Sequence, residues 1–443
     1  MKHALLVLLL AGLLLSFPAA RAQSTLYFPP LAASGTWAAT SPQSLGWCQP
    51  QLDSLYNFLG RKHTKSFIVL KDGRIVLERY YGTFTQDSSW YWASAGKSLT
   101  ATVVGIAQRE GLLRLTNSTS HTLGRGWTSA PPRQEGLITL RHQLTMTTGL
   151  DDVPPPPCDN ESTTAGCLLY RADAGTRWAY HTGPYRLLQD VLTSASGLTI
   201  NQYTNQRLAS RIGMAGLWVN DVYYSRARDM ARFGLLTLAR GTWNGTAVLG
   251  DTAYFRRMTT SSQTLNRSYG YLWWLNGQSS YRLPGSQVSF PGPLMPTAPP
   301  DLIAALGKND QKIYVVPSLG LVVVRQGNSA DGPRLAVSSF DTELWRYLMA
   351  AMQCRPLAVP SAANQAAAKL YPNPALTTVT ATAVPGAARL RLLDATGRVV
   401  REVAAGAGET SVSVAGLPAG LYLTQWLTAE GRVLAVRRLG KVM

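Results

Sequence analysis

Residues 90–110, WYWASAGKSLTATVVGIAQRE, constrain the fold more than any other stretch. After Lys97, the positions Leu99, Ala101, Val103, Val104, Ile106 and Ala107 are apolar on most faces of a helix. Such a helix has to lie inside a large protein rather than on its surface. If it begins near Ser94, residues three apart share one face about 5–6 Å apart at Cβ, so the Lys97 amine reaches the Ser94 hydroxyl. A serine alcohol is a weak nucleophile at neutral pH unless a base stands beside it. Lysine is such a base only where burial or nearby positive charge lowers its pKa. The helix start adds free N–H groups that favour developing negative charge. Ser-x-x-Lys is also a common tetrapeptide, and alone it marks only the ordinary first turn of a buried helix.

A chain of 443 residues has room for one large domain and a smaller one. It starts with Lys2, His3 and the apolar run ALLVLLLAGLLLSF, then Ala20-Arg21-Ala22. That order reads as a secretory signal over residues 1–22, too short to span a bilayer comfortably; an uncleaved anchor is the alternative. No later stretch approaches a membrane span, so no transmembrane segment is expected after signal removal. Exported cysteines tend to pair, and the four present lead us to expect Cys158–Cys167 and Cys48–Cys354. Zinc is the alternative, but paired C-x-x-C units are lacking and no His lies close, so neither metal nor another cofactor is expected. The net charge of +18 is spread without a polybasic run longer than a pair, which argues against a nucleic-acid partner. Only 9 of the 42 basic residues are lysine, so a lysine at a motif position carries extra weight.

Along the chain, Leu52, Leu55, Phe58 and Leu59 fall at helical spacing. Two β-rich runs joined by Asp72-Gly73 predict a hairpin. Residues 138–152 read as a short helix closed by Gly149, and 154–167 as a clipped surface loop. Helices are expected from about Tyr185 to Leu192 and over SRARDMARFGLLTLARG, with Met230, Phe233 and Leu236 on one face. Strands follow in YGYLWWLNG, DLIAALG and KIYVVPSLGLVVVRQG, then a helix ending at Cys354. An α+β fold is the economical solution: an antiparallel sheet from both ends of a domain over 23–355, flanked by helices, with a helical lobe inserted. A linker over 356–368 and a small all-β, sandwich-like domain over 369–443 complete the chain.

Three motifs stand in order: Ser94-x-x-Lys97, Tyr180-His181-Thr182, and Gly307-Lys308-Asn309-Asp310-Gln311 leading into a strand. With RHQLTMTTGLDD, DVYYSRARDMARFGLLTLARGTWNG and KIYVVPSLGLVVV, residues 45–354 resemble the serine β-lactamase and penicillin-binding-protein superfamily. The resemblance is greatest to class C β-lactamase-like esterases and 6-aminohexanoate-dimer hydrolases. It implies a secreted or cell-surface serine hydrolase cleaving an ester or amide through acylated Ser94. Lys97 would take the serine proton, and Tyr180 would carry protons between nucleophile and leaving group. Thr182 replaces the usual Asn or Ser and can bond Lys97 or substrate. Lys308-Asn309-Asp310 takes the place of K-T-G or H-x-G, with Lys308 and Asn309 in substrate-binding or supporting roles. Asp310 departs from the glycine that lets substrate lie close, and its side chain either points away or narrows the site. The oxyanion donors implied are the backbone N–H groups of Ser94 and Gln311.

There is no G-x-S-x-G elbow, and His181 is expected at a surface or rim rather than as a base. Trp90, Tyr91, Trp92, Trp178, Trp273 and Trp274 stand near the motifs as candidates for an apolar acyl pocket or for core packing. The clipped loop is expected to border the mouth. The end of the chain, with Tyr371-Pro372-Asn373-Pro374 and Gly420-Leu421-Tyr422, resembles a type IX secretion C-terminal sorting domain. That implies the type IX machinery as partner, then removal of the domain and release or surface attachment. β-Lactam or D-alanyl-D-alanine peptide processing, and an inactive binding protein of the same fold, are the competing readings.

Overall fold

The computed structural model describes residues 26–32, 35–332, 337–353, 361–429 and 431–443. The signal segment 1–22 lies outside the described residues, as does Cys354 and with it the Cys48–Cys354 pairing. The chain divides into two compact units, Met1–Cys354 and Arg355–Met443. Among the described residues no helix is long and apolar enough to cross a membrane.

In the first unit, helix α1 (Gln49–Arg61) buries Leu52, Leu55, Phe58 and Leu59, each worth about 1.5–3 kcal/mol when fully removed from water. Strands β1 (Thr64–Lys71) and β2 (Arg74–Tyr80) form the expected hairpin. Asp72 and Gly73 both take positive φ, 49° and 84°, which suits the twist of a tight hairpin turn. Strand β3 (Ser89–Tyr91) leads into α2 (Gly96–Arg109), where every residue from Gly96 to Ala107 is buried. The lobe supplies α3 (Thr182–Ser196) and the hairpin of β4 (Gly216–Val219) and β5 (Val222–Arg226), on which β3 also pairs. Helix α4 (Ala227–Leu238) follows and buries Met230, Phe233 and Leu236.

Strands β6 (Trp274–Leu275), β7 (Ile303–Gly307), β8 (Gln311–Val316) and β9 (Leu321–Gly327) complete one antiparallel sheet in the order β2-β1-β9-β8-β7-β6. The first and last parts of the unit meet at its centre, with Ile68 opposite Val324. Helix α5 (Ser339–Met352) runs beside α1, and the Cys48 N–H donates to the Ala351 carbonyl at 3.2 Å.

Two local expectations are corrected. The helix expected over 138–152 is only Leu140–Leu144, capped by Thr139. Gly149 does not close it; with φ at 78° it turns the chain against Ala172, whose carbonyl oxygen would lie 2.1 Å from an added Cβ. Of the strands expected in YGYLWWLNG, only Trp274–Leu275 pairs into the sheet.

In the second unit the linker expected over 356–368 carries helix Ala362–Ala367, with Ser361 capping it through the Asn364 N–H. Gln365 bonds both the carbonyl and the N–H of Val436, so this segment packs on the small domain instead of hanging free. The rest is all-β, in a three-stranded and a four-stranded sheet. Val379, Leu390, Leu392, Trp426 and Leu439 fill its core.

Candidate active site

Ser94 lies in the 3-10 turn Ala93–Ala95 that enters α2. Trp92 anchors the turn: it is fully buried, its N–H donates to the Tyr223 carbonyl at 2.8 Å, and its indole donates to Ser225 Oγ at 2.8 Å. Ala93 then takes a φ of 47°, a conformation a non-glycine residue holds only when its surroundings enforce it. Enforcement comes from the end of β7. A Cβ on Gly307 would stand 2.4 Å from the Trp92 carbonyl oxygen and 3.1 Å from the Ala95 nitrogen.

In the first turn of α2, Lys97 is 3% exposed. Its Nζ donates to Ser94 Oγ at 3.0 Å and approaches Thr182 Oγ1 at 3.4 Å. The same nitrogen lies 5.1 Å from the Tyr180 ring centroid and 4.4 Å from that of Tyr185. Burial lowers the Lys97 pKa to about 7, against the pull of Glu161 and with the help of Arg186. Half of such lysines are neutral at neutral pH, which is what a base needs.

Tyr180 is buried among Trp178, Tyr269 and Trp274, stacked on Trp274 with centroids 5.8 Å apart. Burial pushes its phenol well above the usual tyrosine value, opposed by the influence of the Ser94 hydroxyl. It is therefore a neutral phenol at physiological pH. Ser94, Lys97, Tyr180 and Thr182 thus come together. His181 does not join them and is not at a rim. It is buried, burial lowers its pKa to about 4, and neither ring nitrogen has a hydrogen-bond partner among the described residues.

The third motif leads into strand β8 at Gln311, as expected, but through a turn. Lys308–Asp310 form a turn between β7 and β8, with Asn309 and Asp310 at φ 58° and 60°. Lys308 lines the cleft. The Asn309 amide donates to the Tyr91 hydroxyl at 2.8 Å. Asp310 points away from the cleft, accepting from Ser338 Oγ at 2.6 Å and the Ala330 N–H at 3.0 Å, with Lys312 at 3.2 Å. Gln311 is fully buried, and its side chain braces the turn through Asn309 and Gly327. The close-approaching glycine is Gly307, three residues before Asp310.

The cleft over Ser94 has a volume of about 320 Å³. Tyr91, Tyr185, Val222 and Tyr224 supply its apolar and phenolic wall, and Glu161, Arg186, Asp221 and Lys308 its charges. Arg186 pairs with Glu161 at 2.7 Å and with Asp221 at 3.7 Å. The Cys158–Cys167 disulfide is present, and its loop reaches the mouth through Glu161. Of the six aromatic candidates only Tyr91 lines the cleft. Trp92, Trp178, Trp273 and Trp274 are core residues, and Trp90 packs on Phe84 and Lys65. A larger cavity of about 780 Å³ beside Leu238, Phe255 and Ile303 contains none of the motif residues.

Sequence reasoning named Gly307 in the third motif without giving it a role, and missed Tyr185 and Asn160 as site residues. Tyr185 follows Thr182 by three residues on one helix face, a signal that was present. Asn160 had none, because a loop asparagine shows no periodicity.

A helical lobe set on an antiparallel sheet, with Ser-x-x-Lys at their junction, defines a serine-hydrolase scaffold. The sequence matches the Beta-lactamase family over residues 60–341. The chain belongs to that family, whose fold is shared by esterases, amidases and beta-lactamases. Residues 369–436 match the Secretion system C-terminal sorting domain, which marks the protein as secreted or held at the cell surface and implies an interaction with the type IX secretion machinery. No curated protein matches the sequence. Among solved structures, a protein described as a 6-aminohexanoate-dimer hydrolase from Bacillus anthracis is 20% identical with a TM-score of 0.55, over 75% of this chain and 91% of that one. A penicillin-binding protein homologue from Caulobacter crescentus is 12% identical with a TM-score of 0.51, over 69% and 99%. A class C beta-lactamase mutant is 17% identical with a TM-score of 0.51, over 68% and 96%. At these identities the likeness is one of fold.

Proposed function

We propose that this protein hydrolyses an ester or amide through an acyl-enzyme on Ser94. The observation that carries the reading is the 3.0 Å contact between Ser94 Oγ and a buried Lys97 amine whose pKa is lowered to about 7. Neutral Lys97 takes the hydroxyl proton as Ser94 Oγ attacks the carbonyl carbon. The Tyr180 phenol, whose ring centroid lies 5.1 Å from the Lys97 nitrogen, delivers a proton to the departing alcohol or amine and is reprotonated through Lys97. Water then attacks the acyl carbon, gives its proton to the same pair, and Ser94 leaves with a proton restored.

The oxyanion is held by the Ser94 N–H and a strand-end N–H, donors worth about 3–4 kcal/mol each in other enzymes. The second donor of the reading is the N–H of Gln311, at the start of β8. Since Asp310 points away, it does not count against β-lactams, while Thr182 in place of Asn favours esters and amides. After export, removal of the sorting domain would free the hydrolase or leave it attached to the surface.

A fluorophosphonate probe followed by peptide mapping tests the nucleophile, and nitrophenyl esters, anilides and nitrocefin compare the substrate classes. Labelling at Ser94 with turnover abolished in Ser94→Ala is expected. Turnover that survives Ser94→Ala overturns the proposal.

A further inference from the structure

We infer that Asn160, inside the Cys158–Cys167 loop, is a positioning residue for Tyr180 and Thr182, an inference that rests on the role proposed for Ser94. The start of α3 exposes backbone N–H groups that need acceptors, yet His181, at the capping position, makes no side-chain cap. Asn160 replaces it from a separate loop. Its Oδ1 accepts from the Thr182 N–H at 3.0 Å, and its own carbonyl accepts from the Gly183 N–H at 2.9 Å. Its Nδ2 donates to the Tyr180 carbonyl at 3.0 Å and to that of Asp152, also at 3.0 Å. One residue therefore grips the chain on both sides of His181, between the phenol of Tyr180 and the hydroxyl that faces Lys97.

The loop is seated for this task. A Cβ on Gly183 would fall 2.1 Å from the Ser162 carbonyl oxygen, so the loop backbone lies directly on the helix start. One turn further on, Arg186 bonds the Glu161 carboxylate at 2.7 Å and its carbonyl at 3.1 Å. Asp159 Oδ1 accepts from the Glu161 N–H and Ser162 Oγ, which shapes the loop around Asn160. The disulfide closes a loop only nine residues apart in sequence, and so limits the conformations open to Asn160 before it docks. An extracellular, oxidised protein thus holds its proton-transfer groups more tightly than a reduced one.

Displacing catalytic groups by about 1 Å costs on the order of a hundredfold in rate. Asn160→Ala is expected to lower kcat/KM about 10- to 100-fold, mostly through kcat. As water reaches Lys97, the rising limb of the pH profile should move to higher pH. The double change Cys158→Ser, Cys167→Ser should move both in the same direction by less. Hydrogen exchange at Thr182 and Gly183 should quicken in both variants. Turnover within twofold of the parent with unchanged exchange overturns the inference, as does a loss that only tracks the folded fraction while the pH limb stays put. A parent protein that neither labels at Ser94 nor turns over removes the reading beneath it, and the positioning role with it.

Discussion

Gly307 and Trp92 meet so closely that residue 307 has no room for a side chain: an added Cβ would lie 2.4 Å from the Trp92 carbonyl oxygen. Trp92 opens the turn that carries Ser94, and Gly307 closes the strand that delivers Lys308 to the cleft. The sheet and the turn bearing Ser94 are thereby locked in register.

Gly307→Ala should therefore act on rate more than on folding. Forcing a methyl group into a packed contact costs about 1–3 kcal/mol, which a unit of this size tolerates. The turn bearing Ser94 has to yield, and a fall in acylation on the order of a hundredfold is expected. Circular dichroism alongside the rate of fluorophosphonate labelling checks it. Wild-type labelling would show that the contact is slack.

The proton balance at Lys97 predicts the pH dependence. Only the neutral amine accepts the Ser94 proton, and its pKa is lowered to about 7, so kcat/KM should rise through neutrality and level off above it. Arginine cannot give up its proton, so Lys97→Arg should lose about 10²- to 10⁴-fold, the usual contribution of a general base. A profile already flat from pH 5 to 9 would remove Lys97 from the rate-limiting step.

Tyr180 makes a prediction that depends on the leaving group. Its pKa is raised by burial, so it stays a protonated phenol at neutral pH, the form that the proposed role as an acid requires. An amine leaves poorly without a proton, whereas nitrophenolate needs none. Tyr180→Phe should cost about 10²- to 10⁴-fold on an anilide and far less on a nitrophenyl ester. Equal losses on both would point to a role in placing Ser94 instead.

The parts legible in the sequence were those fixed by local rules. The Asp72-Gly73 hairpin, the apolar face of α1 and the Ser94–Lys97 spacing each depend on residues close in sequence. What was misjudged depends on tertiary contacts. Lys308-Asn309-Asp310 leads into a strand as read, yet the left-handed turn it makes first is not legible: Asn and Asp tolerate that region and Arg325 binds the carbonyls of both. His181 was expected at a rim, and it is instead drawn inward with the helix start that Asn160 caps. Neither partner can be inferred from spacing, since Arg325 and Asn160 lie on separate segments from the residues they hold.

The same lowered pKa makes Lys97 a burden on stability, and this gives a test independent of substrate. A lysine with a pKa near 10.5 when unfolded and about 7 when folded leaves the unfolded chain holding more protons between those values. Stability therefore rises with pH across that window. At pH 7 the penalty is of order 4 kcal/mol by linkage, offset in part by the hydrogen bonds to Ser94 and Thr182. Lys97→Met keeps the length of the side chain and removes the charge. It should be inactive, yet melt at or above the wild-type temperature at pH 7, with the gap closing as the pH approaches 10. A variant that melts well below wild type at pH 7 would mean that the amine is kept there for the fold and not for chemistry.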